Sequence, residues 1–178
     1  MQLKEIEKLA ASVMEKAVDA KEVAGVNLLV LKDKAPVLSL QAGYADLENK
    51  VLMEDDTIMR LYSMSKPVTA ACMMILMQRG LVDLNDPVSK FIPAFANQTY
   101  VNGNTLSLVQ RQMTVHDLLF MTSGLSYGSD SAAGKATSDL FAEMDTRLST
   151  KDAMTTREFA YRVGKNPLEF EPSSNFMY

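Results

Sequence analysis

Arg60-Leu61-Tyr62-Ser63-Met64-Ser65-Lys66-Pro67 runs into Val68-Thr69-Ala70-Ala71-Cys72-Met73-Met74-Ile75-Leu76-Met77, and sets a hydroxyl and an amine three residues apart where an apolar helix begins. Residues i and i+3 of a helix share a face, so Ser63 and Lys66 are expected side by side. A lysine so placed can hold the proton that a serine must lose to become a nucleophile, the Ser-Lys form of covalent catalysis. The spacing alone has a plainer explanation, Ser63 as a helix cap. The surroundings weigh against it. Pro67 suits the first helical turn, where its missing N–H costs little. The run 68–77 is apolar nearly all round, as in a buried helix. Two polar groups at the mouth of a buried helix point to the base of a cleft, where the charge of Lys66 must be paired, solvated or shed.

The 178 residues suffice for a sizeable core in one or two packed units. Basic residues number 18 and acidic ones 22, for a net charge of −4, and no Lys/Arg stripe marks a nucleic-acid footprint. The single cysteine, Cys72, falls within the apolar helix and is expected to be a buried small hydrophobe; no intrachain disulfide is available to it. Thirteen methionines, several in the central helix, suit an irregular core. Residues 1–9 are charged and periodic, unlike an export signal, and the run 68–77 is too short to span a bilayer. The expectation is a cytoplasmic protein without membrane contact.

Leu3, Ile6, Leu9 and Val13 predict an amphipathic helix over 3–18. Strands are predicted over 23–31 and 37–46 around a turn at 32–36, giving a hairpin with a helix laid across it. The central helix should end at Arg79-Gly80. Asp86 is placed to cap a short helix holding Val88, Phe91 and Ile92, with Pro87 in its first position and 93–95 as its end. Asn102-Gly103-Asn104 marks a hairpin within 99–109. Thr114 and Asp117 form the cap and third-residue acid of a further helix. Residues 129–138 read as a surface loop or weak helix, followed by helices over 140–148 and 156–163. The fold class is therefore α/β (α+β): an antiparallel sheet flanked by helices over residues 1–60, and a catalytic helix with a mostly helical subdomain over 61–178. One hairpin is too little to make a stable sheet.

Four ordered segments resemble the serine beta-lactamase-like and penicillin-binding superfamily. They are residues 59–70 with Ser63-Met64-Ser65-Lys66, 80–88 with Gly80-Leu81-Val82-Asp83-Leu84, 113–125 with Thr114-Val115-His116-Asp117-Leu118-Leu119, and 170–178 with Glu171-Pro172 through Tyr178. They are most similar to the branch holding class C beta-lactamases, related carboxylesterases and D-stereospecific peptidases. The resemblance implies that Ser63 is the acylated nucleophile, that Lys66 is the lysine of the same motif, and that Tyr178 is the tyrosine sharing its proton-transfer work. Lysine and tyrosine would then titrate as a coupled pair. It implies an oxyanion hole made by the Ser63 N–H and by an edge-strand N–H lying beyond residue 178. The asparagine and the Lys/His-x-Gly strand of the family pattern also fall beyond Tyr178. The chain is accordingly expected to be the amino-terminal portion of a longer protein, its site completed by a carboxy-terminal remainder or a second chain, and poorly active alone.

Other residues receive plainer readings. Ser65 is a packing or hydrogen-bonding neighbour. Arg60 is a structural ion-pair partner. His116, beside Asp117, suggests a Ser-His-Asp triad, but it falls in a first helical turn and is expected to face solvent or cap. A lone histidine and a buried Cys72 do not make a metal site. Tyr127 follows a turn and is a candidate for the substrate mouth, with an ordinary loop aromatic as its alternative. No cofactor is implied. The function expected is a serine hydrolase of small esters or amides, esterase or peptidase rather than beta-lactamase. The alternatives are an acyltransferase and a non-catalytic recognition or structural module of the same fold.

Overall fold

The computed structural model describes residues 3–178, which divide into two compact units at Tyr62/Ser63. In the first unit, helix α1 (Leu3–Asp19) lies against an antiparallel sheet of β1 (Gly25–Lys32), β2 (Ala35–Asp46) and β3 (Val51–Leu52), in the order β1-β2-β3. The hairpin turns through Asp33 and Lys34, whose φ of 52° and 66° give the left-handed pair that follows strand twist. Pro36 sits beside the register shift after Val30, where a missing N–H is tolerated. Gly43, at φ 75°, pairs with Gly25; a Cβ on Gly43 would lie 2.4 Å from the Ala24 carbonyl oxygen and 2.9 Å from the Val18 side chain of α1. Helix and sheet approach this closely because that position has no side chain. The two-residue β3 has no counterpart among the sequence expectations; it is too short to show a period.

In the second unit a 3₁₀ turn, Tyr62–Met64, leads into α2 (Ser65–Gln78). Two further 3₁₀ turns, Val88–Lys90 and Pro93–Phe95, precede the hairpin of β4 (Thr99–Asn102) and β5 (Thr105–Leu108), and α3 (Val115–Leu119), α4 (Ala132–Arg147) and α5 (Thr156–Val163) follow. Gly103, at φ 60°, supplies the left-handed position of the tight β4–β5 turn. The core is built on Val88, Phe95, Met113 and Leu168. Leu168 also extends the hairpin: its N–H donates to the Thr99 carbonyl and its carbonyl accepts from Val101 N–H, both at 2.8 Å.

Several local expectations are corrected. Helix α2 has no buried residue, and Cys72 is exposed, as are Val68, Met74 and Ile75. The helix is apolar as read, but among the described residues its apolar surface is left uncovered. Asp86 does not cap: its carboxylate accepts from Asp83 N–H at 2.9 Å and Lys90 Nζ at 2.8 Å, and Pro87 stands just ahead of a 3₁₀ turn. Of the two readings of residues 129–138, surface loop or weak helix, the helix holds from Ala132: α4 takes in 132–138 and runs on through the helix expected over 140–148. Ser131 caps it, its Oγ accepting from Gly134 N–H at 2.9 Å, and a serine cap among small residues is easily passed over. Arg60 is exposed and makes no ion pair among the described residues. Nor is any helix among them long and apolar enough to cross a membrane.

Candidate active site

Ser63 lies in the 3₁₀ turn ahead of α2, and Lys66 is the helix's second residue. Tyr62, directly before the serine, has φ 46°, a conformation that a bulky non-glycine residue seldom adopts. Such strain collects where a side chain must be presented in one direction. The spacing of three carries across the change of helix type: Lys66 Nζ donates to Ser63 Oγ at 3.1 Å. The carbonyl of Ser65, the expected neighbour, accepts from Thr69 Oγ1.

The third member comes from far along the chain. Tyr178 Oη donates to Ser63 Oγ at 2.7 Å and accepts from Lys66 Nζ at 3.3 Å, and the ammonium stands 4.8 Å from the phenol ring centroid. The hydrogen bonds with Ser63 and Lys66 hold the Tyr178 hydroxyl below the ordinary tyrosine range. The bond to Tyr178, opposed by partial desolvation and reinforced by Tyr127, holds the Lys66 ammonium above the lysine range. Both shifts favour a lysinium–phenolate pair next to the serine.

A run of backbone bonds delivers Tyr178. Residues 121–124 accept from the final segment: Glu169 N–H donates to the Gly124 carbonyl at 2.7 Å, Ser173 N–H to Thr122 at 2.8 Å and Met177 N–H to Met121 at 3.0 Å. Gly124, at φ 77°, lies so close to the returning chain that a Cβ would be 2.6 Å from the Phe170 carbonyl oxygen. Beneath this frame is Asp117, fully buried. Its carboxylate takes two bonds from the Arg111 guanidinium at 2.8 Å each, accepts from Thr114 N–H and Oγ1 at 2.9 Å, and from Thr122 Oγ1 at 3.2 Å. Burial pushes its carboxyl up, but Arg111 and Thr114 outweigh that and bring it down to about 2. The capping box read from the sequence is present. The role of Asp117 as the anchor of residues 111–122 went unread, although an arginine six positions upstream was the available signal.

His116 is half-buried and stacks on Phe120 with ring centroids 4.2 Å apart. The Asp117 carboxylate, taken up by Arg111 and Thr114, orients no imidazole, so these two residues form no triad with Ser63. Tyr127 is exposed and lies by Lys66, adding to the rise of its pKa. Among the described residues no cluster of three or more His, Cys, Asp and Glu side chains is arranged to hold a metal.

Ser63 Oγ, Lys66 Nζ and Tyr178 Oη thus lie within mutual hydrogen-bond reach in the second unit, and the first unit is an antiparallel sheet with a helix against it. Residues 10–178 match the Beta-lactamase family, and the chain belongs to it. It is 28% identical to esterase EstB of Burkholderia gladioli over 94% of its own length and 40% of that esterase. Among solved structures it resembles EstCE1, a hydrolase with promiscuous acyltransferase activity, at 28% identity and a TM-score of 0.76, covering 96% of this chain and 42% of that one. It also resembles the D-amino acid amidase of Ochrobactrum anthropi SV3, at 25% identity and a TM-score of 0.62, over 94% of this chain and 39% of the amidase. The chain thus spans less than half the length of each of these relatives.

Proposed function

We propose that this chain carries the nucleophile and proton-transfer groups of a serine hydrolase that cleaves small esters or amides through an acyl-enzyme on Ser63. The observation that carries this reading is the triangle of Ser63 Oγ, Lys66 Nζ and Tyr178 Oη, with sides of 3.1, 3.3 and 2.7 Å. Tyr178, ionised beside the Lys66 ammonium, takes the Ser63 proton as Oγ attacks the acyl carbon. The Ser63 N–H, at the front of α2, faces the developing oxyanion. Tyr178 then returns the proton to the departing oxygen or nitrogen, and water repeats the sequence to release the acid. Tyr127 flanks the same ammonium at the substrate side.

Esterase chemistry is favoured over beta-lactam hydrolysis because EstB, similar over 94% of this chain, is by name an esterase. The acyltransferase activity named for EstCE1 supports a close variant, in which an alcohol or amine replaces water in the second half-reaction.

The test is intact-mass analysis of the full-length polypeptide carrying this sequence, treated with a fluorophosphonate probe, beside its Ser63→Ala variant. A single adduct that the variant loses is the expected result. A folded full-length protein without an adduct would overturn the hydrolase reading in favour of a recognition module.

A further inference from the structure

Behind the two tyrosines lies a cavity of about 240 Å³ that the reaction as described leaves unused. Met121, Leu125, Phe141, Phe159 and Val163, from the 121–125 segment, α4 and α5, make its apolar wall. Phe141 and Phe159 are half-buried, with ring centroids 5.5 Å apart, whereas Tyr127 and Tyr178 are 66% and 61% exposed. The exposed side is therefore the one formed by the two tyrosines with Leu118 and Met177. There the Tyr178 hydroxyl stands 2.7 Å from Ser63 Oγ, so the cavity opens one phenol ring away from the nucleophile.

Resting on the acyl-enzyme reading above, we infer that this cavity binds the apolar alcohol portion of an ester substrate, the part that leaves. Proton bookkeeping sets the direction. In acylation the bond from Ser63 Oγ to the acyl carbon forms while the carbon–oxygen bond to the alcohol breaks. The departing oxygen takes from Tyr178 Oη the proton that came from Ser63. That oxygen must lie against Tyr178, and its substituent then extends along the face where the cavity opens. The acyl group, held by its carbon to Ser63, has no such requirement. At roughly 30 Å³ for a methylene-sized group, about that of a liquid water, the space accepts a chain of about eight carbons or an aromatic ring. Beyond the two tyrosines at its mouth, its polar groups are the hydroxyls of Ser123, Ser126 and Thr137, and its lining includes no Asp, Glu, Lys or Arg to recognise an ionic alcohol.

Two matched ester series on the full-length protein test the assignment. One holds the acyl group as acetyl and lengthens the alcohol from methyl to decyl; the other holds the alcohol as methyl and lengthens the acid. All members of the first series share one acyl-enzyme, so selectivity must appear in kcat/KM and not in the rate of deacylation. The expected result is a rise in kcat/KM of about threefold per methylene along the alcohol series, up to about eight carbons. The acid series should show a much weaker trend. Val163→Phe, which narrows the cavity, should shift the preferred alcohol to shorter chains, and Phe141→Ala should shift it to longer ones. An active enzyme with a flat alcohol series, or with chain-length dependence in the acid series alone, would overturn the cavity assignment and leave the hydrolase reading intact. Absence of both hydrolysis and fluorophosphonate adduct would remove both.

Discussion

At the residue scale the proposed chemistry rests on an ammonium and a phenol that stabilise each other's charged forms. The tyrosine hydroxyl sits below its ordinary value of 10.0 and the lysine above its ordinary 10.5. If the phenolate is the base, kcat/KM rises with pH through the lowered tyrosine pKa and falls only when Lys66 loses its proton, above 10.5. Tyr178→Phe should lower kcat by at least about a hundredfold and erase the acid limb. Lys66→Met should move that limb upward, because the phenol loses the cation that favours its ionisation. An unchanged acid limb in both variants would show that neither residue is the base. Asp117 makes a different claim, on stability. Its folded pKa of about 2 lies below its unfolded 3.8, so its contribution is present above 3.8 and lost as pH falls through about 2. That contribution is on the order of 2 kcal/mol. Asp117→Asn should destabilise by about 3 kcal/mol, since Arg111 loses its partner and the cap its acceptor. Denaturant titration at neutral pH and at pH 2 measures both: the gap between wild type and variant should narrow in acid.

At the scale of elements, what could be read from sequence tracks the range of the interaction that makes each element. The period of α1, the β1–β2 and β4–β5 turns, the Thr114 capping box and the span of α5 (Thr156–Val163) arise from neighbours within about one turn or one hairpin, and all were legible. So was the Ser63–Lys66 pair, although the 3₁₀ turn in front of α2 was not. The segment that ends at Tyr178 was not legible as a structural element, because it has no secondary structure of its own. Its path is set by bonds to residues 121–124 and by the contact at Gly124. Helices α4 and α5 share an ion-pair network in which Arg147 meets Glu143, Asp152 and Glu158, and Arg162 meets Glu143 and Glu158. The Glu143 carboxyl, held by Arg162 and Arg147, falls to about 2. Its side chain is 41% exposed, so salt screens the network. These are also the helices that carry Phe141 and Phe159 of the cavity wall.

At the scale of the molecule the leading feature is uncovered apolar surface. In the first unit Leu29, Leu31, Val51 and Leu52 are exposed, and in the second Val68, Met74 and Ile75 of α2. Exposed apolar side chains gathered into a patch make a contact surface or an aggregation liability. The 178-residue polypeptide expressed alone should bind a hydrophobic dye such as ANS and self-associate as concentration rises. Dye fluorescence and sedimentation velocity measure both. A non-binding, monomeric 178-residue polypeptide would mean that these faces find cover within the chain. Sequence by itself determined the pairing of Ser63 with Lys66 and the helix that begins beside it, because a hydroxyl and an amine three positions apart meet whether the turn between them is 3₁₀ or α. Only the tertiary structure brought Tyr178, 115 positions from Ser63, to that hydroxyl, gathered Arg111, Thr114 and Thr122 on Asp117, and opened a cavity behind the tyrosines. Those contacts depend on how distant segments pack, and no local spacing encodes them.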